Sequence, residues 1–357
     1  MRQAVMVDIA QSYQRYTRRK VLIIALLTLL SVLLGVYAIN AGSAELTPGQ
    51  VLLTLLGQVE GRSQVIIWHI RLPRVLAALT AGAGLAVAGC VMQNILRNPL
   101  ASPFTLGVSQ GAAFGAAVAI LTLGAGSTSR TGADAVLINN PYLVTSFAFQ
   151  GALAATLVIL LLSRYKGVSP EAMVLAGVAL GSLFSAGTII LQYFASDVQV
   201  AAMVFWTFGD IGRASWRDLG IMAAVTGAGL LYFMANRWNY NALDSGAETA
   251  KGLGVSVARI RLTGMFVASL ITAALVAFLG IIGFIGLVGP HLMRRVIGDD
   301  HRFLIPAAGV MGGLLLLAAD TLARTVMKPV VLPVGAITSF MGAPLFLYLL
   351  SRGDNRR

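Results

Sequence analysis

The stretch LTGMFVASLITAALVAFLGIIGFIGLVGPHLMRRVI (262–297) holds no Lys, Arg, Asp or Glu from Leu262 to Met293. A helix rises about 1.5 Å per residue, so roughly 20 apolar residues cross a hydrocarbon core of about 30 Å. The stretch is too long for one span and short for two. Gly280, Gly283, Gly286 and Gly289 interrupt it and Pro290 follows, so it reads either as one long bent helix or as two. That choice sets the side of the membrane for everything after it.

Apolar runs also lie near 21–39, 75–93, 104–123, 142–163, 172–194, 217–235, 303–323 and 333–351, with a shorter run at 200–209 suited to a surface half-helix. Lys and Arg accumulate on the cytoplasmic side of membrane proteins. With 262–297 split in two and the N-terminus inside, 18 of the 26 basic residues fall inside and 8 outside; unsplit, the division is 14 and 12. Two spans are therefore expected, giving an all-α integral membrane protein of ten transmembrane helices with both termini cytoplasmic. Residues 1–20 form a basic N-terminal segment, 21–351 the membrane domain with a cytoplasmic loop at 237–261, and 352–357 a tail. The run 21–39 is too long for the 7–15-residue core of a signal peptide, despite the small residues Ala41–Ala44, and reads as a retained first helix.

Composition agrees. The chain is 57% hydrophobic and 11% charged, with a mean hydropathy of +0.81, against about 25% charge in soluble domains. Its 39 glycines suit helices that approach closely in lipid. The net charge of +12 is scattered between apolar runs without aromatic interleaving, which excludes a nucleic-acid surface. Cys90, the single cysteine, cannot form an intramolecular disulfide.

Ion-driven carriers keep ionisable side chains within their spans. Here Asp320, near Arg324, is the clearest one. No GxxxxGK[ST] phosphate loop occurs, and none of the four lysines (Lys20, Lys166, Lys251, Lys328) follows a glycine. The chain is expected not to be an enzyme, and a pore without an engine of its own requires a partner that supplies one. A proton-coupled carrier, or a receptor without transport, are the alternatives of other classes.

Particular strings then carry a resemblance. RLPR (71–74), AGAGLAVAGCVMQNILRNPLASPFTLGVSQGAAFG (81–115), LAGVALG (175–181), GFIGLVGPHLMRR (283–295), DDHR (299–302) and LPVGAITSFMGAPLF (332–346) resemble, in order, the FecCD-type permeases. These are membrane subunits of ABC importers for iron–siderophores, haem and vitamin B12. The resemblance covers about residues 21–352. It implies a pair of permease subunits in the cytoplasmic (inner) membrane, two cytoplasmic ATPases that hold ATP and Mg, and a periplasmic or lipid-anchored substrate-binding protein. It implies no cofactor in this chain. A ferric siderophore is the expected cargo, with haem and cobalamin as alternatives.

The resemblance also assigns residues. Arg71 and Arg74, with Arg324 in ADTLAR (319–324), would receive glutamates of the binding protein. Without the resemblance they read equally as interfacial arginines snorkelling to headgroups. Asn241, Leu243, Gly246, Ala250, Leu253 and Gly254 match a loop of two short helices that seats in the ATPase, with Leu243 and Leu253 as apolar anchors. On its own that interval reads as a solvated basic loop. Asn98, Pro99, Ser169 and Pro170 would lie near a cytoplasmic gate. Gly107, Gly111 and Gly115 form a GxxxGxxxG run read as helix packing. His69, His291 and His301 lack metal-ligand spacing, and no metal site is expected.

Overall fold

The computed structural model describes residues 2–42, 46–59, 61–124, 126–128, 136–138, 140–166 and 169–351. The expected tail 352–357 lies outside these residues. α1 (Arg2–Asn40) is one continuous helix. The polar segment before residue 21 belongs to it, because residues 2–20 contain no Gly or Pro to stop the helix. After α2 (Pro48–Leu55), α3 (Arg62–Gln64) passes through a π-helical turn, Val65–Arg71, into α4 (Leu72–Ile95). Pro73 has no N–H to offer the carbonyl four residues back, and just before it Leu72 N–H bonds Ile67 at π spacing.

A 3₁₀ turn, Pro103–Leu106, leads to α5 (Val108–Thr122). A hairpin follows, β1 (Gly126–Thr128) antiparallel to β2 (Val136–Ile138), with Gly126 opposite Ile138. It is the one departure from an all-α fold among the described residues. Then come α6 (Pro141–Lys166), α7 (Pro170–Phe194), α8 (Asp197–Thr207) and α9 (Trp216–Ala235). The short helices α10 (Arg237–Asp244) and α11 (Ala247–Gly252) precede α12 (Val257–Leu279), α13 (Ile285–Ile297), α14 (His301–Thr325) and α15 (Val334–Ser351).

Seven helical stretches among the described residues are long and apolar enough to cross a membrane: Gln11–Asn40, Arg62–Ile95, Pro141–Arg164, Pro170–Phe194, Trp216–Ala235, Val257–Leu279 and His301–Thr325. Val108–Thr122 and Val334–Tyr348 are shorter apolar helices. The stretch 262–297 is divided: α12 stops at Gly280 (φ 79°) and α13 starts after Phe284 (φ 65°). A left-handed φ is easy for glycine and rare for phenylalanine, so packing holds Phe284 there. It seats against Gly342 of α15, where an added Cβ would lie 2.4 Å from the Phe284 Cβ.

α4 is central, packed on α14, α12, α13 and α9. Its seam with α14 is close: a Cβ on Gly82 would lie 2.2 Å from the Gly312 carbonyl oxygen, and one on Gly312 2.3 Å from that of Gly82. Backbone this close leaves no room for a side chain from either helix. Gly82→Val is therefore expected to pry the pair apart, with a lowered melting temperature and a broadened size-exclusion peak in detergent; a wild-type profile would remove this reading of the seam. Gly111 and Gly151 form the equivalent contact between α5 and α6, where a Cβ on Gly111 would lie 2.4 Å from the Gly151 carbonyl oxygen. Gly107 departs from the expected glycine run. It stands in left-handed conformation just before α5 and faces Gly177 and Gly181 of α7.

Candidate functional site

At one end of the α4–α14 pair the three singled-out arginines come together. Asp320, fully buried in the last turns of α14, accepts from Arg74 Nε at 2.9 Å and Arg74 Nη2 at 2.8 Å, and from Arg324 Nε at 3.0 Å. Arg324 also donates to the carbonyls of Ala38 (3.3 Å) and Ala41 (2.9 Å), while Arg71 donates to those of Ile39 (2.7 Å) and Asn40 (3.0 Å). The carbonyls at a helix C-terminus have no partner inside the helix and carry its negative dipole end. Two guanidiniums satisfy them for α1. Arg71 is only 4% exposed and Arg324 8%, so neither snorkels. The cluster ties α1, α4 and α14 together, and Arg74 Nη2 also lies 3.8 Å from Asp210.

At the other end of the same two helices sits the α10–α11 loop. Asn94 of α4 donates to the Tyr240 carbonyl (3.1 Å) and to Asp244 Oδ1 (2.5 Å), and Arg97 donates to the Leu243 carbonyl (3.2 Å). From α14, the His301 N–H donates to Asn241 Oδ1 (2.8 Å), and the buried His301 ring has Nδ1 at 3.2 Å from Asp244 Oδ2. Asn241 Nδ2 donates to Asp300 Oδ1 at 3.1 Å. Tyr240, Leu243 and Ala250 are buried, so Leu243 and Ala250 hold the loop to its own protein. Leu253 is 69% exposed and carries the free apolar surface. Gly246 (φ 116°) opens α11, and Gly254 (φ 83°), with open space around it, follows Leu253.

Asp300 anchors this loop electrostatically. Burial alone would raise its carboxyl. Hydrogen bonds from the Arg302 side chain, the Asn241 amide and the Arg302 backbone N–H, with the Arg302 charge, outweigh that and hold it at about 2. The folded value lies below the ordinary 3.8, so this stabilisation is whole above about pH 5 and lost as pH falls toward 2. The melting-temperature gap between wild type and Asp300→Asn is expected to be constant from pH 7 to 5 and to narrow below about pH 4; an unchanged gap at pH 3 would contradict it.

The remaining singled-out residues serve their own turns. Asn98 Oδ1 accepts from Leu100 N–H (2.9 Å), Ser169 Oγ caps α7 through Ala172 N–H (3.4 Å), Pro170 opens α7, and no hydrogen bond among the described residues joins the two segments. Two groups that the sequence reading passed over matter most, the α1 carbonyls and Asn94; His301 stood in DDHR and was read only as lacking metal-ligand spacing, and Asp320 stood out four residues before Arg324. Among the described residues no three His, Cys, Asp or Glu side chains gather as a metal site.

The FecCD transport family matches residues 27–352. A protein of Methanocaldococcus jannaschii that carries the name of an ABC transporter permease is 57% identical over 343 residues, 96% of this chain and 98% of its own. The Fe(3+)-citrate import system permease of Bacillus subtilis is 36% identical over 94% of this chain and 96% of its own. A solved structure described as an inward-facing metal-chelate type ABC transporter superposes with a TM-score of 0.80 at 30% identity, over 93% of this chain and 99% of that one.

Proposed function

The chain belongs to the FecCD transport family and is an ABC importer permease, and on that premise we propose that it passes a ferric chelate of the siderophore class across the cytoplasmic membrane by alternating access, powered by a separate ATPase. The observation that carries this is the double-ended α4–α14 pair, with a cation cluster at one end and a hydrogen-bonded two-helix loop at the other. An importer needs both contacts, one for delivery and one for power, on a shared rigid element.

The topology follows. The seven long spans, α5, α13 and α15 make ten crossings with both termini inside, and this parity gathers the basic residues on the cytoplasmic side. The α10–α11 loop then faces the ATPase, with Leu253 as the apolar contact and Gly254 letting it approach. Asn98, Pro99, Ser169 and Pro170 lie on that side, near the gate. Arg71, Arg74 and Arg324 lie outside, where glutamates of a binding protein compete with Asp320 and the α1 carbonyls for the same guanidiniums. α7 and α15 leave Leu183, Ile189, Tyr193, Phe340 and Leu347 uncovered, which suits a second permease subunit across a central path.

Reconstituted with the ATPase and the binding protein in vesicles, the chain is expected to accumulate the ferric chelate only with ATP. Uptake driven by a proton gradient without the ATPase would replace this reading with a carrier. Titrating the purified binding protein with a ferric siderophore, haem and cobalamin decides the cargo, and tight binding of haem or cobalamin alone would reassign it.

A further inference from the structure

Next to the arginine cluster, bordered by the turn that carries Arg213, lies a cavity of about 430 Å3, within the range of small-ligand sites. Tyr142 of α6, Phe205 and Trp206 of α8 and Phe278 of α12 wall it, with Arg213 and Asp218 at its polar side. Arg213 has five N–H donors, and the one hydrogen bond described for it runs from Nη2 to the Phe205 carbonyl at 2.8 Å. The neighbouring carboxylate does not pair with it: Asp210 turns to the Gly212 N–H at 2.8 Å and toward Arg74 at 3.8 Å. A guanidinium in an aromatic cavity with donors to spare is stabilised by an anion that accepts from several N–H groups at once, as a phosphate does. Arg217, outside the lining, lies over the ring of Tyr142 with its Cζ 5.5 Å from the centroid and adds a second cation nearby.

Two features narrow the occupant. Tyr142 and Trp216 are exposed, and the Trp216 indole donates to the Trp68 carbonyl at 2.7 Å. Exposed Trp and Tyr at helix ends mark the depth where headgroups meet acyl chains. Asp218 also lines the cavity, with Oδ2 accepting from the Ser215 hydroxyl at 2.8 Å. A carboxylate on the wall disfavours a polyanion and leaves a single phosphodiester as the better fit.

We propose that this cavity seats the phosphodiester headgroup of an outer-leaflet phospholipid on Arg213, with its glycerol and chains against the aromatic wall. The word outer rests on the topology proposed above; the site does not. Occupancy would also reach the arginine cluster, because the turn carrying Arg213 touches Arg74: a Cβ on Gly212 would lie 2.7 Å from Arg74 Nη1.

The test is a titration of the delipidated full-length chain in detergent with short-chain phosphatidylglycerol, read by native mass spectrometry. Arg213→Gln is expected to weaken binding about tenfold or more, the scale of one charge-assisted hydrogen bond. Arg213→Lys should retain most of it, and Arg62→Gln, an exposed arginine elsewhere, should match wild type. Glycerophosphoglycerol, the same phosphodiester headgroup without chains, is expected to bind about tenfold more weakly by losing the apolar contacts; equal binding would overturn the lipid in favour of a soluble phosphodiester. Thr145→Trp narrows the cavity from another wall and should weaken lipid binding with Arg213 in place. Unchanged lipid affinity in both Arg213→Gln and Thr145→Trp, at wild-type melting temperature, would overturn the site.

Discussion

Asp320→Ala is expected to destabilise the chain by roughly 3–5 kcal/mol, the usual consequence of leaving a buried charge without its partner. The wild-type carboxylate is fully buried and accepts from both Arg74 and Arg324. Alanine strands two guanidiniums in a site that excludes water. Arg324 keeps its α1 carbonyls, but Arg74 is left with Asp210 at 3.8 Å. Asp320→Asn keeps the volume and loses the charge, so it should fall between wild type and alanine. A double mutant separates charge from packing. Adding Arg74→Met to Asp320→Ala removes one stranded cation and should recover part of the lost melting temperature, whereas Arg74→Met alone should lower it. Purely additive losses would mean the pair is not coupled, and Asp320 would then be no tie between α4 and α14.

The sequence made some of this legible and hid the rest for identifiable reasons. The division of 262–297 could be read because charge parity is a whole-chain signal that survives uncertain boundaries. The α10–α11 loop stood out because its charge density contrasts with apolar neighbours on both sides. The role of the arginines was only half visible. RLPR announces two cations near a helix start, but the acceptors are backbone carbonyls of Ala38, Ile39, Asn40 and Ala41, and any residue type supplies a carbonyl. The same limit hid Asn94, an amide in an apolar run, whose partner Asp244 lies 150 residues away. Gly107 misled for a different reason. The spacing GxxxGxxxG is satisfied, yet the preceding Pro103–Leu106 turn needs a left-handed residue to redirect the chain into α5, and glycine serves that local need.

The second large effect concerns transmission, and it separates the tip of the α10–α11 loop from its foot. Leu253 is exposed and makes the tip, so Leu253→Glu is expected to abolish association with the ATPase and with it all ATP-dependent uptake. Asn241→Ala acts at the foot. Asn241 accepts from the His301 backbone N–H and donates to Asp300, which joins the loop to the first turn of α14. α14 has 25 residues and spans about 37 Å at 1.5 Å per residue, ending at the arginine cluster. With its tip intact the variant should still bind the ATPase and hydrolyse ATP. With two of its ties to α14 removed and the His301–Asp244 contact left to hold it, motion of the loop pulls less firmly on α14, and uptake per ATP should fall about tenfold or more, the scale of losing two hydrogen bonds in a partly buried network. Measuring hydrolysis and uptake on the same vesicles gives the ratio directly. If Asn241→Ala loses ATPase binding as Leu253→Glu does, the foot is only scaffolding for the tip; if its ratio stays at wild type, α14 is not the element that carries the stroke.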